Sequence, residues 1–412
     1  MSRVVKLVAH WVVGVGLLAG GCIAQAATDQ QRGEYLVRAA NCVSCHTTAG
    51  GQVFAGGMPF PTEFGTIYSS NITPDRATGI GSWTFEQFDA AVRRGVRPDG
   101  QHLYPAFPYT SFTKINDADM HALYDYFMSL KPVKAPAHEN DMPFPFSQRW
   151  LLGAWKALFF TEGRFVPNPA RSQQWNRGAY LVEALAHCSA CHSPRNLLGA
   201  EKSAEPYAGG VLNEMDEDRG AVRRGAPNLT SSPHGLAAWS VDDVAGYLKL
   251  GVGSRARLMG TMNDVVLNST RYLTDDDTRA MAVYIKSLGA AGDPGSRPSQ
   301  KTLELGAKQY DIHCGTCHLP TGKGSPDTGP PLAGSAFAQA PDPSSLVDLV
   351  INGPRIPVPT PSGEYQRPWQ SMTPFGQKLS DEQAAALLTF VRNSWGNAAP
   401  PVQPKDIDRM RF

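Results

Sequence analysis

Three pentapeptides of one form punctuate this 412-residue chain: Cys42-Val43-Ser44-Cys45-His46, Cys188-Ser189-Ala190-Cys191-His192 and Cys314-Gly315-Thr316-Cys317-His318. Two thiols three residues apart suit thioether bonds to the two vinyl groups of one porphyrin. The histidine that follows then falls beneath the iron as proximal ligand. A lone match would equally suit a zinc knuckle, a disulfide or a redox dithiol. Three matches use six of the seven cysteines and leave no further pair for another framework. The sequence therefore predicts three covalently bound haem c groups. Cys42, Cys45, Cys188, Cys191, Cys314 and Cys317 are their attachment points, and His46, His192 and His318 their iron ligands.

The start of the chain gives a compartment. Arg3 and Lys6 precede an apolar run from Leu7 to Gly21, too short for a comfortable membrane span, and Ala24-Gln25-Ala26 reads as a cleavage site. Residues 1–26 are predicted to be a signal peptide, with the mature chain starting at Ala27 in the periplasm, an oxidising place where haem c is attached. Removal of the leader takes Cys22 away; the rival reading is lipidation at Cys22. The formal net charge is +1, and only 18% of residues are charged. That balance gives no strong electrostatic steering and no nucleic-acid role. With 42% hydrophobic residues, 40 Gly and 33 Pro, the chain suits a loop-rich globular protein that wraps cofactors rather than a disordered one. Leu151 to Phe160 (LLGAWKALFF) is the most apolar later stretch, predicted to be a buried or interfacial helix.

The elements that must position the motifs repeat with them. Arg32-Gly33-Glu34-Tyr35-Leu36-Val37 precedes the first motif, Arg177-Gly178-Ala179-Tyr180-Leu181-Val182 the second, and Gly306 holds the same place before the third. Each opens a short helix running into its CxxCH. A second helix starts at Thr84 with Gln87, Ser240 with Asp243, and Ser345 with Asp348, each pair a capping-box pattern. These helices stop at Gly95, Gly251 and Gly353. A last helix starts at Asn116, Thr274 and Ser380, carrying Tyr126, Tyr284 and Phe390; glycine on the first helix and an aromatic on the last would let the two cross closely. The loops Asn71-Ile72-Thr73 and Asn228-Leu229-Thr230 lead to Trp83 and Trp239, read as core packing beside the haems or as electron relays. No segment alternates as a strand does, so the fold class predicted is all-α: three small haem domains in tandem. The Pro-rich stretch Pro132 to Pro169 and the segment Gly289 to Ser299 join them.

An electron-transfer haem usually takes a second axial ligand, and a methionine thioether raises its potential. Met262 and Met372 recur in one slot between the second and last helices and are the predicted ligands, with Met259 a competitor for Met262. In the first unit the same slot reads Leu103-Tyr104-Pro105-Ala106-Phe107-Pro108-Tyr109, and Phe107 cannot bind iron. Two readings follow: an open sixth position, suited to ligand binding or peroxide chemistry, or another ligand with electron transfer preserved. Met58, His102 and Met120 are the candidates in that unit. His187 and His313, each just before a haem cysteine, read as solvated helix-face residues or as propionate partners. His121, His138 and His234 have no metal spacing.

The stretches Gly65 to Asp75 (GTIYSSNITPD), Leu103 to Phe112 (LYPAFPYTSF), Ala226 to Ser231 (APNLTS), Gly260 to Val266 (GTMNDVV) and Val391 to Asn397 (VRNSWGN) carry a resemblance. The chain resembles, over essentially its whole mature length, the triheme cytochrome c subunits of bacterial periplasmic membrane-bound dehydrogenases. The resemblance implies three tandem cytochrome c domains, at 27–131, 170–288 and 301–412, with linkers at 132–169 and 289–300. It maps the family's methionine ligands onto Met262 and Met372; its first-haem methionine has no counterpart, since Phe107 stands there. It implies a catalytic partner of flavin, quinoprotein or molybdenum type, passing electrons through the haems to ubiquinone or a terminal oxidase. The chain itself then has no catalytic residue. The expected setting is peripheral association with the periplasmic face of the inner membrane. The polar ending, Pro404 to Phe412, leaves attachment to a partner or to the Leu151–Phe160 surface. A self-contained haem enzyme or ligand sensor at the first haem, and a freely diffusing carrier, are the alternative readings.

Overall fold

The computed structural model describes residues 30–411 apart from 217, 252, 294 and 355–371. The predicted leader, with Cys22, lies outside the described residues. The helices fall into three sets, each led by a CxxCH turn. The first set is α1 (30–39), α2 (Cys42–His46), α3 (Phe85–Arg94), α4 (Tyr109–Phe112) and α5 (Asp117–Ser129). After α6 (Leu151–Phe159) come α7 (Gln173–Tyr180, running on as a π-helical turn over Leu181–Leu185), α8 (Ser189–His192), α9 (Val241–Leu250), α10 (Met262–Asn268) and α11 (Asp275–Lys286). The last set is α12 (Gln300–His313), α13 (Gly315–His318), α14 (Ser344–Asn352), α15 (Asp381–Asn393) and α16 (Pro404–Asp408).

Local chemistry sets most boundaries. Thr84 and Gln87 close a capping box on α3, and Ser240 and Asp243 do so on α9. Asn116, Thr274 and Ser380 each accept a backbone N–H at the start of α5, α11 and α15. Gly95 and Gly251 end α3 and α9 in the left-handed conformation. The first and last helix of each set cross at glycine. A Cβ on Gly33 would lie 2.6 Å from Tyr126 Cβ, on Gly178 3.0 Å from Tyr284 Cβ, and on Gly306 2.6 Å from Phe390 Cβ; each would also meet a backbone carbonyl.

The all-α expectation needs correction. Two antiparallel hairpins are present: β1 (Pro59–Thr62) with β2 (Gly65–Tyr68), and β3 (Gly210–Asp216) with β4 (Gly220–Ala226). Both leave the chain at the same point, between a haem motif and its Asn-x-Thr loop. Proline, glycine and arginine interrupt their sequences, so no apolar alternation betrays them.

The first two sets share one hydrophobic core running from Leu36 to Ile285, which Ala336 of the third set joins, whereas the third has its own around Tyr310, Leu346, Leu387 and Val391, which takes in Val222 of β4. Between the first two sets the contacts are reciprocal. Arg32 Nε donates to Asp119 Oδ1 at 3.0 Å within the first set, and Arg177 Nε to Asp277 Oδ1 at 2.8 Å within the second. The tyrosines three residues on then cross over: Tyr180 OH donates to Asp119 Oδ2 and Tyr35 OH to Asp277 Oδ2, each at 2.6 Å. Tyr35 OH also accepts from Thr274 N at 3.1 Å, and Tyr180 OH from Asn116 Nδ2 at 3.0 Å. The repeated Arg-Gly-x-Tyr-Leu-Val thus has a physical meaning. Arginine braces the helix's own partner, glycine lets it come close, and tyrosine reaches the neighbouring set. In α12 the matching positions are Leu305 and Lys308, and the exchange is gone.

The third set docks through β3–β4 instead. Arg219 donates to Asp348 at 2.5 Å and to Asp216 at 2.9 Å, Arg224 pairs with Asp348 and with Glu214 at 2.7 Å, and Arg223 reaches Asp342 at 2.9 Å. This overturns the capping-box reading of Ser345 and Asp348. α14 starts one residue earlier, the Ser345 hydroxyl accepts from Gly225 N at 3.1 Å and donates to Gly225 O at 3.0 Å on β4, and Asp348 holds two arginines. The expected polar tail is corrected too. Ile407 and Met410 are buried, and Asn352 Nδ2 donates to Met410 O at 2.8 Å, so residues 402–411 close the third core.

Candidate haem-attachment sites

Each CxxCH forms a short helical turn, and none of its cysteines is in a disulfide. Burial pushes the thiols of Cys42, Cys45, Cys188 and Cys314 up to about 12, and raises Cys191 as well. Neutral thiols in that state are poor nucleophiles at neutral pH.

The histidines are built identically. His46 Nδ1 lies 2.7 Å from the carbonyl of Ser70, His192 Nδ1 2.8 Å from that of Pro227, and His318 Nδ1 2.8 Å from that of Pro330. A carbonyl only accepts, so the proton sits on Nδ1 and the Nε2 lone pair is left for a metal. Burial lowers the pKa of all three rings, against the smaller opposing effect of the carbonyl, and keeps them neutral. Two unpaired thiols beside one oriented, neutral imidazole fit a covalently attached haem.

The carbonyls that aim these rings sit on braced loops. Asn71 Oδ1 accepts from Thr73 N at 2.9 Å and its Nδ2 donates to Val133 O at 2.7 Å. Asn228 repeats this with Thr230 N at 2.7 Å and Ala291 O at 2.8 Å. The repeated Asn-x-Thr was the only sequence signal for these supports. The carbonyls themselves belong to a serine once and a proline twice, and so share no residue type across the three.

Of the predicted sixth ligands, Met262 begins α10 and Met372 is half-buried against the third core. Helix α10 lies on the first motif, where Asn268 Nδ2 donates to Ser44 Oγ at 3.0 Å. The reverse contact comes from the first set. The Phe107 ring packs on Phe112 at 5.4 Å, and Phe112 packs on His187 at 5.4 Å. His187 is therefore no solvated helix-face residue: its ring bonds the backbone of Ala40, and its own backbone is left-handed at φ 38°. Met120 is core filler on α5, His102 Nδ1 is 3.0 Å from Lys156 Nζ, and Met58 precedes β1. Trp239 is buried in the shared core.

Comparison with known proteins agrees with this reading of the motifs. The cytochrome c family profile matches residues 30–131 and 303–395. The cytochrome c subunit of the quinone alcohol dehydrogenase of Komagataeibacter europaeus is 40% identical over 415 positions, covering 96% of this chain and 87% of its own length. The gluconate 2-dehydrogenase cytochrome c subunit of Pantoea cypripedii is 40% identical over 405 positions, covering 92% of this chain and 89% of its own. One of the subunits of the nicotinate dehydrogenase of Pseudomonas putida is 40% identical over 389 residues, which cover 90% of this chain but only 31% of that longer protein. The chain belongs to the family of cytochrome c subunits of bacterial dehydrogenases, which transfer electrons and leave catalysis to a partner subunit.

Proposed function

We propose that this chain carries three haem c groups in three tandem domains and passes electrons from the catalytic subunit of a periplasmic dehydrogenase to ubiquinone or a terminal oxidase. The catalytic subunit is of flavin, quinoprotein or molybdenum type, and the cytochrome sits peripherally on the periplasmic face of the membrane. The observation that carries the reading is the repeated proximal arrangement: three neutral histidines, each aimed by a backbone carbonyl, beside three pairs of unbonded thiols. Haem supplies the one-electron couple; the chain fixes where each haem sits and which atoms approach its iron. Met262 and Met372 serve as sixth ligands to the second and third haems.

Intact-mass measurement on the mature protein tests the count. The expected mass is that of a chain starting near Ala27 plus three haems, retained after denaturation because thioethers are covalent. Two haems, or lipid on Cys22, would refute it. Purified alone, the protein is expected to take up electrons in a potentiometric titration yet not to oxidise alcohols, aldehydes or sugars.

The first haem is expected to differ from the others, because Phe107 offers no lone pair. Phe107→Met adds an unbranched thioether at a half-buried, adaptable position. It is expected to raise the first haem's potential by at least about a tenth of the roughly 0.8 V that axial ligation commands. A third methionine-ligated signal should appear in near-infrared or proton NMR spectra. Three such signals in the unmodified protein would mean that another methionine already serves.

A further inference from the structure

The carbonyls that aim the proximal histidines need a fixed backbone. In the first two sets an asparagine supplies it from the next residue. Ser70 O faces His46 and Asn71 follows it; Pro227 O faces His192 and Asn228 follows it. Each asparagine ties its loop to the chain beyond the set's last helix, through Val133 O at 2.7 Å and Ala291 O at 2.8 Å. A threonine two residues on closes the tie. Thr73 Oγ1 donates to Asn71 Oδ1 at 2.8 Å and accepts from Val133 N at 3.1 Å. Thr230 Oγ1 donates to Asn228 Oδ1 at 2.6 Å and accepts from Ala291 N at 3.2 Å.

The third set has no such asparagine on its loop. None stands between His318 and Asn352, and Pro330, whose carbonyl faces His318, is followed by Pro331 and Leu332. The tie is nevertheless present, built from the other side. Asn397 Nδ2 donates to Leu332 O at 2.9 Å and to Val391 O at 2.8 Å, and its Oδ1 accepts from Gly334 N at 2.8 Å. The bonds to Gly334 and Leu332 span 63 and 65 residues, so no local turn accounts for them. Val133, Ala291 and Asn397 hold one position in the three sets: four, five and four residues beyond the ends of α5, α11 and α15. The asparagine has changed sides of a junction that has kept its place. It is buried in all three sets.

A hydrogen bond from Nδ1–H to a carbonyl raises the basicity of the ring, and a more basic ligand favours ferric iron. We propose that Asn71, Asn228 and Asn397 are positioning residues that set each haem's potential by holding that carbonyl against its histidine. The proposal rests on the three-haem reading above and adds the residues that tune it. Val133 and Ala291 lie in the segments that join the sets, so these segments belong to the haem supports and are more than connections.

Spectroelectrochemical titration of the holo-protein tests it, each potential being assigned through that haem's proton NMR signals. Asn397→Ala should raise the third haem's potential by at least a threefold change in its reduction equilibrium, about 28 mV at 59 mV per decade for one electron. The other two potentials should stay in place, and amide exchange across 330–334 should quicken. Thr230→Val keeps its shape but loses the tie to Ala291 N; it should raise the second haem's potential alone, by less. Asn393→Ala is the control. Its Nδ2 donates to Thr389 O at 2.9 Å and Ala399 O at 3.0 Å, so the change loosens the same tail without touching the loop, and no potential should move. The proposal fails if the third potential stays or falls in Asn397→Ala, if all three move together, or if Asn393→Ala shifts it as much. Should Asn397→Ala give no folded protein, Thr230→Val decides, and an unmoved second potential overturns the proposal. A parent lacking a third haem would overturn the haem count instead. Exchange across 330–334 then decides alone: quickened exchange in Asn397→Ala supports the held loop, and unchanged exchange refutes it.

Discussion

Asp348→Ala should release the third helical set from the other two. Its carboxylate accepts from Arg219 and Arg224, and both Asp348 and Arg224 are buried. Removing it takes a shared carboxylate from two arginines packed between β3–β4 and α14, leaving Asp216 beside Arg219 and Glu214 beside Arg224. Breaking one side of such a buried network costs about 3–5 kcal/mol. The loss should concentrate at this junction, because the cores on either side exchange little beyond Val222 and Ala336. Hydrogen exchange should accelerate across 210–226 and 344–352 while α7 and α11 stay protected; unchanged protection at the junction would contradict the assignment. The same network is acid-labile. Burial works to raise the Asp348 pKa, but hydrogen bonds from Arg219, Asn352 and Arg224 outweigh it and hold the carboxyl below its ordinary range. A carboxyl depressed on folding stabilises above its unfolded pKa and loses that contribution as pH falls through the folded value. Docking should therefore hold at neutrality and fail below about pH 4.

Gly178→Val should be more damaging than any surface change in the second unit. The new side chain would meet the Ala280 carbonyl and Tyr284 Cβ where α7 crosses α11. Backbone cannot give way as a side-chain tip can, so the overpacking costs about 3 kcal/mol or more. The helices that frame the second CxxCH motif would separate, and the Tyr180–Asp119 bond to the first set would go with them. The expected readout is a lower yield of mature protein and a population lacking one haem's mass. Gly246→Ala is the control. It lies in α9 with nothing within 4 Å of the new methyl, and should be neutral or slightly stabilising. Equal damage from both would show that the crossing is not the cause.

What the sequence revealed was whatever depends on near neighbours. Thr84 with Gln87 and Ser240 with Asp243 are three residues apart, so their caps could be read directly. The glycine–aromatic crossings became visible because three copies could be laid side by side. Apart from the two hairpins, hidden because their strands do not alternate, the misses involve partners far along the chain. Ser345 and Asp348 look like a cap, but their partners are 120 and 124 residues away on β4. His187 looks solvated until Phe112 and Ala40 fold over it. The tail from Pro404 looks polar because its few apolar residues, Ile407 and Met410, are spaced for one helix turn rather than for a long amphipathic stripe. The carbonyls that orient the proximal histidines were invisible for another reason: every residue has one.

The crossed tyrosines also decide where this polypeptide can be divided. Helix α1 is finished by α11, some 240 residues later, because Tyr35 closes the start of α11 and Tyr180 closes the start of α5. Neither half is complete without the other, so a cut or a fusion between them would expose two half-built helix ends. Among the described residues no such tyrosine exchange spans 289–299, and the third set is held mainly by side chains of one hairpin. The chain therefore has one seam at which a module can be gained, lost or exchanged as a piece, and a second apparent seam, in the proline-rich stretch, at which it cannot.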